Sequence, residues 1–252
     1  MGADLDRRVV TRETPQEQPN KWRRVWSFVR ARFDPRSHLG LGLTVRLILF
    51  GLAIWAFSGV LDAVLDNRTL VSIDRAVETW FHAHASPAGL RFFNVVTQLG
   101  SPVVNVLIGV VAIYLLYKRQ YPLLFTWLAA NLGGKIIEFV IKNTVHRSRP
   151  TYGAEFLRTV SFSFPSGHTM GSTICYLMLA YMIAARPGTS HRARFLAFGL
   201  GIGIVLVVAF SRLYLQVHYP TDVMGGFTAG FAWLVACGVT RHLFTEGQTY
   251  RL

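Results

Sequence analysis

Long apolar runs dominate the chain, and short polar stretches separate them. Six of these runs approach the roughly 20 residues that an α-helix needs to cross a bilayer. They lie at about Thr44–Leu65, Phe93–Tyr117, Pro122–Ile141, Thr169–Ala185, Phe195–Phe210 and Val223–Leu243. Because the fourth and fifth runs are short, tilt or extension into flanking residues is expected. The pattern predicts an all-α, polytopic membrane protein with six transmembrane helices.

Two further segments are amphipathic rather than uniformly apolar. From Lys21 to Phe33, apolar residues recur at helical spacing and arginines lie off that stripe. We expect a basic interfacial helix on an anionic leaflet or, alternatively, a helix packed on the protein's own cytoplasmic surface. A second interfacial helix, N-capped by Ser72, is predicted on the outer surface. His82 and His84 at its end lack a carboxylate or cysteine at ligand spacing, so no metal site is predicted there.

The two ends of the chain are more polar than its middle. Residues 1 to about 20 combine prolines with mixed charge, which is typical of a disordered tail and not of a cleaved signal peptide. We predict three parts: residues 1–40 as a cytoplasmic tail carrying the basic helix, residues 41–245 as the six-helix domain, and residues 246–252 as a short cytoplasmic tail.

Composition supports a membrane protein and bears on its partners. Hydrophobic residues make up 52% of the chain and charged residues 15%, with a mean hydropathy of +0.35. The net charge of +13 is compatible with nucleic acid binding. The basic residues lie mostly between apolar spans, however, so anionic lipids are the expected partner and nucleic acid is not. Cys175 and Cys237 lie in apolar runs and are expected to be small buried side chains.

Basic residues also predict the orientation in the membrane. They concentrate in the N-terminal tail, the Lys118–Arg119 turn, the Arg186–Arg194 loop and the C-terminal end. The positive-inside rule makes this side cytoplasmic, with both termini inside and the loops at 142–168 and 211–222 outside. Four cations in the outer loops run against this trend and need another reason, such as phosphate binding: Lys142, Arg149, Arg158 and Arg212.

Three polar blocks in these outer loops carry the candidate chemistry. The first reads K-x6-RP from Lys142, the second reads PSGH and ends at His168, and the third reads SR-x5-H-x3-D and ends at Asp222. Together they supply three fixed cations, two imidazoles, a Ser-Gly turn and a carboxylate four residues after a histidine. This inventory suits capture of a phosphate dianion, attack on phosphorus by a nitrogen, and protonation of the leaving oxygen.

These blocks resemble the tripartite signature of the type 2 phosphatidic acid phosphatase (PAP2) superfamily. All three match without a departure and in order, across residues 142–222, about a third of the chain. One block alone would be a weak signal, whereas three in sequence are a strong one. The resemblance implies the integral-membrane lipid phosphate phosphatase branch, whose helical bundle opens its site at the outer membrane–water interface.

The resemblance also implies a role for each matching residue. His218 would be the nucleophile that forms a phosphohistidine, and Asp222 would hydrogen-bond its far nitrogen and fix the tautomer. His168 would act as general acid on the leaving oxygen and then as base for water. The phosphate would be held by Lys142, Arg149, Ser166, Gly167 and Arg212. With these donors in place, no metal ion and no other cofactor is expected.

Other charged residues lie near the blocks but outside the signature. Lys135, Glu138 and Lys142 fall on one face of the third span, where charges should turn inward and pair. Glu138 is expected to hold Lys142 or to pair with Lys135. Arg147 and Arg158 are expected to contact solvent or lipid headgroups.

The function expected from the resemblance is hydrolysis of a lipid phosphomonoester or diphosphate at the outer face of a bacterial-type plasma membrane. Undecaprenyl diphosphate, phosphatidylglycerol phosphate and phosphatidic acid are all open as substrates. The alternative is a lipid phosphotransferase, in which another lipid acceptor replaces water. An inactive scaffold is disfavoured by the intact histidines and aspartate, and a soluble vanadate haloperoxidase by the apolar spans.

Overall fold

The computed structural model describes Trp22, Trp26, Arg30 and residues 40–66, 69–152 and 161–247, without the side chains of 242–247. Between residues 41 and 247 the described chain forms eight α-helices. They are α1 Leu41–Asp66, α2 Thr69–His84, α3 Pro87–Val96, α4 Pro102–Tyr117, α5 Tyr121–Val145, α6 Gly167–Ala184, α7 His191–Tyr214 and α8 Pro220–Gly247. A 3₁₀ turn, Thr97–Gly100, separates α3 from α4.

The chain divides into two units, residues 1–44 and 45–252. In the first unit, Trp22, Trp26 and Arg30 are helical, and the two tryptophans are exposed. Their spacing of four residues places these side chains on one helix face. The rest of the predicted basic helix, the N-terminal tail and residues 248–252 lie outside the described residues, so their placement stays a prediction.

Five stretches in the described chain are long and apolar enough to cross a membrane. They are α1, Pro87–Tyr117, α5, α7 and Pro220–Arg241. Each corresponds to one predicted span, which supports an integral, multi-pass membrane protein. The remaining predicted span, Thr169–Ala185, is helical as α6, but it is not among these five stretches.

Helix α6 is the central helix of the bundle, which accounts for its weaker hydropathy. It packs against α4, α5, α7 and α8, and most of its length is buried. Neighbouring helices therefore surround polar residues such as Thr169 and Thr173, and lipid does not meet them. Close packing depends on Gly230 of α8, where an added Cβ would lie 3.0 Å from the carbonyl oxygen of Met170. Small residues at such contacts are typical of membrane helices.

Helix α2 confirms the second amphipathic helix but begins earlier than predicted. Its residues from Thr69 onward are helical, so Ser72 lies within the helix and the predicted N-cap is wrong. The imidazole of His82 stacks on Tyr152, with ring centroids 4.0 Å apart, and His84 stacks on Trp80. The contact of His82 with Tyr152 joins α2 to the loop that follows α5.

The second predicted span is interrupted in the structure. Helix α3 ends at Val96, the 3₁₀ turn follows, and α4 begins with Pro102, a residue suited to the first turn of a helix. An added Cβ at Gly100 would lie 2.6 Å from Val208 and 3.1 Å from His168. The turn can therefore approach α6 and α7 closely only with glycine at this position.

Candidate active site

A cavity of about 450 Å³ opens among α4, α5, α6 and the loops that follow α5 and α7. Six of the eight predicted site residues line it: Lys142, Arg149, Gly167, His168, Arg212 and His218. The other two, Ser166 and Asp222, are fully buried behind its wall. Residues 153–160, which include Arg158, lie outside the described part of the chain.

His218 lies in the short loop between α7 and α8, and its ring faces Asp222. Helix α8 begins at Pro220, which puts Asp222 in the first turn with its carboxylate folded back toward the loop. The carboxylate Oδ2 lies 3.4 Å from Nδ1 of His218 and accepts a hydrogen bond from the backbone N–H of Tyr219 at 2.9 Å. This geometry favours the tautomer with the proton on Nδ1, which leaves Nε2 unprotonated and directed at the cavity.

Burial and neighbouring cations keep the His218 imidazole neutral. Burial lowers the pKa of His218 well below its usual value, and the positive charges of Arg212, Arg149 and Lys142 lower it further. Nε2 of His218 lies 3.4 Å from a terminal nitrogen of Arg149. An unprotonated nitrogen therefore lies beside guanidinium groups, the arrangement needed to attack a phosphate held by those groups.

Two arginines in the cavity are held by neutral acceptors. Arg149 donates to the carbonyl oxygens of Ser161 at 2.8 Å and Val217 at 2.9 Å. Arg212 donates to the hydroxyl of Thr97 at 2.8 Å, and its buried Nε has no hydrogen-bond partner in the described structure. Burial lowers the pKa of Arg149, although Asp222 and Glu138 oppose that effect. Neutral partners fix the guanidinium groups without cancelling their charge, so the cavity attracts an anion.

The third cation of the signature, Lys142, does have an acidic partner. Its ammonium group lies 2.8 Å from Glu138, one turn earlier on α5. Glu138 thus holds the lysine, as predicted from the helix spacing. The same carboxylate lies against Gly167, where a Cβ would collide with it.

The N-terminus of α6 forms another wall of the cavity. Ser166 is its N-cap, but no side chain caps the first N–H groups of the helix. The Ser166 N–H donates to the carbonyl oxygen of Asp222 at 2.9 Å, and the Thr169 hydroxyl donates to Oγ of Ser166 at 3.1 Å. Uncapped N–H groups and the positive end of the helix dipole favour a bound anion beside Gly167.

Arg147 corrects one expectation from the sequence. Its side chain is only 12% exposed, and it joins two fully buried carboxylates. It donates to Oδ1 of Asp222 at 2.5 Å, to Oδ2 of Asp74 at 2.6 Å and to the hydroxyl of Thr221 at 2.6 Å. The predicted contact with solvent or headgroups is therefore wrong, because Arg147 binds the same aspartate that faces His218.

Asp74 was not predicted as part of the site. It comes from α2, and it also accepts from the backbone N–H of Thr221 at 3.1 Å. Burial tends to lower the pKa of Arg147, but the charges of Asp222 and Asp74 outweigh that effect and raise it. A hydrogen-bonded chain thus runs from α2 through Arg147 and Asp222 to His218. The sequence offered only one hint of it, an acidic residue within an amphipathic helix.

Comparison with known proteins agrees with these features. Residues 121–245 match the PAP2 superfamily. Phosphatidylglycerophosphatase B of Bacillus subtilis (strain 168) is 28% identical over 71% of this chain and 88% of its own length. Decaprenylphosphoryl-5-phosphoribose phosphatase of Mycobacterium tuberculosis (strain H37Rv) is 33% identical, over 41% of this chain and 55% of its own length.

A solved structure gives the same result for the fold. The crystal structure of the first transmembrane PAP2 type phosphatidylglycerolphosphate phosphatase from Bacillus subtilis has a TM-score of 0.67 and 25% identity. The match covers 77% of this chain and 96% of that one. With the signature residues gathered around one cavity in a bundle of apolar helices, the chain belongs to the PAP2 superfamily and is an integral-membrane lipid phosphatase.

Proposed function

We propose that this enzyme hydrolyses a lipid phosphomonoester or diphosphate through a phosphohistidine formed on His218. The observation that supports this most directly is the neutral, buried imidazole whose Nε2 faces a cavity lined by cationic side chains, among them Lys142, Arg149 and Arg212. Terminal phosphate oxygens would bind Lys142, Arg149 and Arg212. Nε of Arg212 is buried without a hydrogen-bond partner in the described structure, so it could donate to one of these oxygens. The N-terminus of α6 would supply further N–H groups.

In the first step, Nε2 of His218 attacks phosphorus and the bond from phosphorus to the lipid oxygen breaks. His168 lines the same cavity, where burial and the nearby cations lower its pKa to about 2. The charge of a bound phosphate dianion opposes that effect, so His168 is protonated in the complex and donates this proton to the departing oxygen. Asp222 accepts the Nδ1 proton of His218 in a hydrogen bond and stabilises the positive charge that develops on the ring. The lipid product leaves, and the phosphoryl group stays on His218.

In the second step, His168 takes a proton from water, and the water oxygen attacks phosphorus. The phosphorus–nitrogen bond breaks, its electrons return to His218, and inorganic phosphate leaves. The fixed cations and the α6 N-terminus stabilise the charge on the phosphoryl oxygens in both steps. They supply the electrophilic role that a metal ion has in other phosphatases, so we propose that activity is independent of metal ions.

The names of the relatives bear on the substrate. They include a phosphatidylglycerophosphatase, a decaprenylphosphoryl-5-phosphoribose phosphatase, a dolichyldiphosphatase and an undecaprenyl-diphosphatase. We propose a substrate of the same general kind, a lipid that ends in a phosphomonoester or diphosphate. Phosphatidylglycerol phosphate, undecaprenyl diphosphate and phosphatidic acid all fit this description.

The phosphohistidine is tested with His168→Ala and an activated substrate such as p-nitrophenyl phosphate. The nitrophenolate group leaves without a proton, so phosphorylation of His218 should persist, whereas hydrolysis of the phosphoenzyme should be slow. We expect a burst of nitrophenol followed by a slow steady state, and label that is acid-labile and alkali-stable. The label should be absent from the double variant with His218→Ala. If there is no burst and all substrates slow equally, His168 serves only to bind phosphate.

The hydrolase activity itself is tested by phosphate release from a panel of lipid phosphates in detergent micelles. Release should persist in EDTA and be abolished by His218→Ala. Adding lipid acceptors should not divert the phosphoryl group from water. Loss of activity in EDTA with recovery in Mg²⁺ would contradict the proposed electrostatics of the site.

A further inference from the structure

Lys135 is a charged residue in the cavity that the proposed steps do not use. It lies seven residues before Lys142 on α5, so the two lysines share a helix face, with Cα atoms about 10 Å apart. Both line the cavity that holds His218. Nζ of Lys135 donates to Oδ1 of Asn105 on α4 at 2.6 Å, and no carboxylate pairs with it in the described structure. An ammonium group within a membrane-spanning helix needs an anion or water beside it.

Glu138 lies between the two lysines on the same helix face. Its carboxylate pairs with Lys142 and lies against Gly167. An ionised carboxylate accepts hydrogen bonds from hydroxyl groups and repels phosphate. Along α5 the cavity therefore presents one cationic subsite, then a hydrogen-bond acceptor, then a second cationic subsite.

We propose that this row binds a headgroup in which a polyol, such as glycerol, separates a terminal phosphomonoester from an internal phosphodiester. The terminal phosphate occupies the site beside His218, and hydroxyl groups of the polyol donate to Glu138. The internal phosphodiester accepts hydrogen bonds from Lys135 and from the side-chain amide of Asn105. The inference rests on the proposed lipid phosphatase function and selects among its substrates.

The spacing disfavours the two simpler headgroups. In a diphosphate, a single oxygen bridges the phosphorus atoms, which is a short link for binding two lysines whose Cα atoms lie about 10 Å apart along the helix. A glycerol spacer holds the two phosphates farther apart, which suits the two lysines better. A diphosphate also places no hydroxyl group against Glu138. Phosphatidic acid has no second phosphate, so it would leave Lys135 without an anion. Lys135 and Asn105 are both exposed, which places the second subsite at the open side of the cavity, where the acyl chains leave it.

The test compares Lys135→Met with the unaltered enzyme on phosphatidylglycerol phosphate, phosphatidic acid and a prenyl diphosphate in detergent micelles. The measured quantity is the ratio of kcat/KM for phosphatidylglycerol phosphate to kcat/KM for phosphatidic acid. We expect this ratio to fall at least tenfold, mainly through KM, because the lost contact lies away from the reacting phosphorus. Lys135→Arg should restore most of it. Lys118→Met, at the turn between α4 and α5, is the matched control and should leave the ratio unchanged.

A second comparison tests the contact with Glu138. A substrate whose glycerol spacer is replaced by propanediol lacks the donating hydroxyl group, so the unaltered enzyme should hydrolyse it with a severalfold lower kcat/KM. Equal rates on the two spacers would contradict this contact. An unchanged ratio in Lys135→Met, or equal losses on all three lipids, would overturn the second subsite. If the unaltered enzyme is inactive on every lipid phosphate, the proposed function fails instead.

Discussion

Arg147 connects the proposed nucleophile to a helix that carries no signature residue. Its guanidinium binds Asp222, which faces His218, and also binds Asp74 of α2. Both carboxylates are fully buried, and a buried charge left without its partner is strongly destabilising. We therefore propose that Arg147 is a positioning residue, which keeps Asp222 ionised and aimed at Nδ1 of His218.

Replacing this guanidinium should affect both stability and turnover. Arg147→Met should destabilise the fold by about 3–5 kcal/mol, the usual cost of removing one partner of a buried pair. We expect kcat to fall about 100-fold, which is less than the loss on removing an orienting carboxylate itself. Thermal unfolding and single-turnover phosphorylation measure the two effects. Arg147→Lys should recover part of both, and Arg75→Met, on the exposed side of α2, should change neither. Loss of stability with normal phosphorylation per folded molecule would show a purely structural role.

The protonation of His218 is open to a direct measurement. Burial and three nearby cations lower its pKa, so the ring should stay neutral when pH falls through about 6.5, the ordinary value for histidine. In ¹⁵N-histidine-labelled protein, the His218 signal, assigned from its loss in His218→Asn, should not titrate between pH 7.5 and 5.5.

The lowered pKa of His218 also makes the stability of the fold depend on pH. The unfolded chain takes up a proton at His218 near pH 6.5, whereas the folded chain does not, so acid favours unfolding. The stability associated with the neutral ring is fully present above about pH 6.5, and it is lost as the pH falls from there toward the pKa of His218 in the folded chain. A His218 signal that titrates near pH 6.5 would contradict the assignment of a neutral nucleophile.

Single residues also mark how far the sequence could predict the site. The three signature blocks predicted eight site residues, and six of them line one cavity. Each block lies at a helix end and the adjoining loop, so its short spacing already keeps its residues close together. Arg147 was misjudged because its partner Asp74 lies 73 residues earlier in the chain. Helical periodicity states which face a residue occupies, but not which distant helix covers that face.

Among the structural elements, the 3₁₀ turn Thr97–Gly100 has the clearest effect on the site. It interrupts a stretch that hydropathy alone predicts as continuous helix, and it brings the buried hydroxyl of Thr97 within 2.8 Å of Arg212. Apolar composition does not reveal such a break, since hydrophobic residues predominate on both sides of it. Gly100 and Pro102 are its only local signals, and each is also common in unbroken membrane helices.

The contact made by this turn can be tested with an isosteric change. Thr97→Val removes the acceptor and leaves a buried N–H of Arg212 unsatisfied, which costs about 1–3 kcal/mol. If that cost falls on the phosphate-binding conformation, kcat/KM should drop about tenfold. Thr97→Ser keeps the oxygen and serves as the control. Equal activity of the valine and serine variants would show that the turn does not orient Arg212 for substrate.

For the whole molecule, the helix directions place the cavity near one end of the bundle. Lys142 lies near the C-terminal end of α5, and Arg212 lies near the C-terminal end of α7. Helix α7 has 24 residues and is therefore about 36 Å long, enough to cross the membrane. His191 at its beginning and Arg212 near its end must then lie on opposite sides of the bilayer. The distribution of basic residues leads us to propose that the cavity faces outward and both termini face the cytoplasm.

This orientation is tested by the accessibility of single cysteines in intact cells. The background protein has Cys175 and Cys237 replaced by alanine, since both native cysteines are buried. Thr144→Cys, at the exposed end of α5 beside the cavity, should react with a membrane-impermeant thiol reagent. His191→Cys, at the exposed start of α7, should react only after the cells are permeabilised. Phosphate release from lipid by each variant in detergent checks that the fold is intact.

The opposite labelling pattern would place the cavity on the cytoplasmic side, so the enzyme would then hydrolyse lipids of the inner leaflet. Labelling of both cysteines in intact cells would mean that α7 does not cross the membrane.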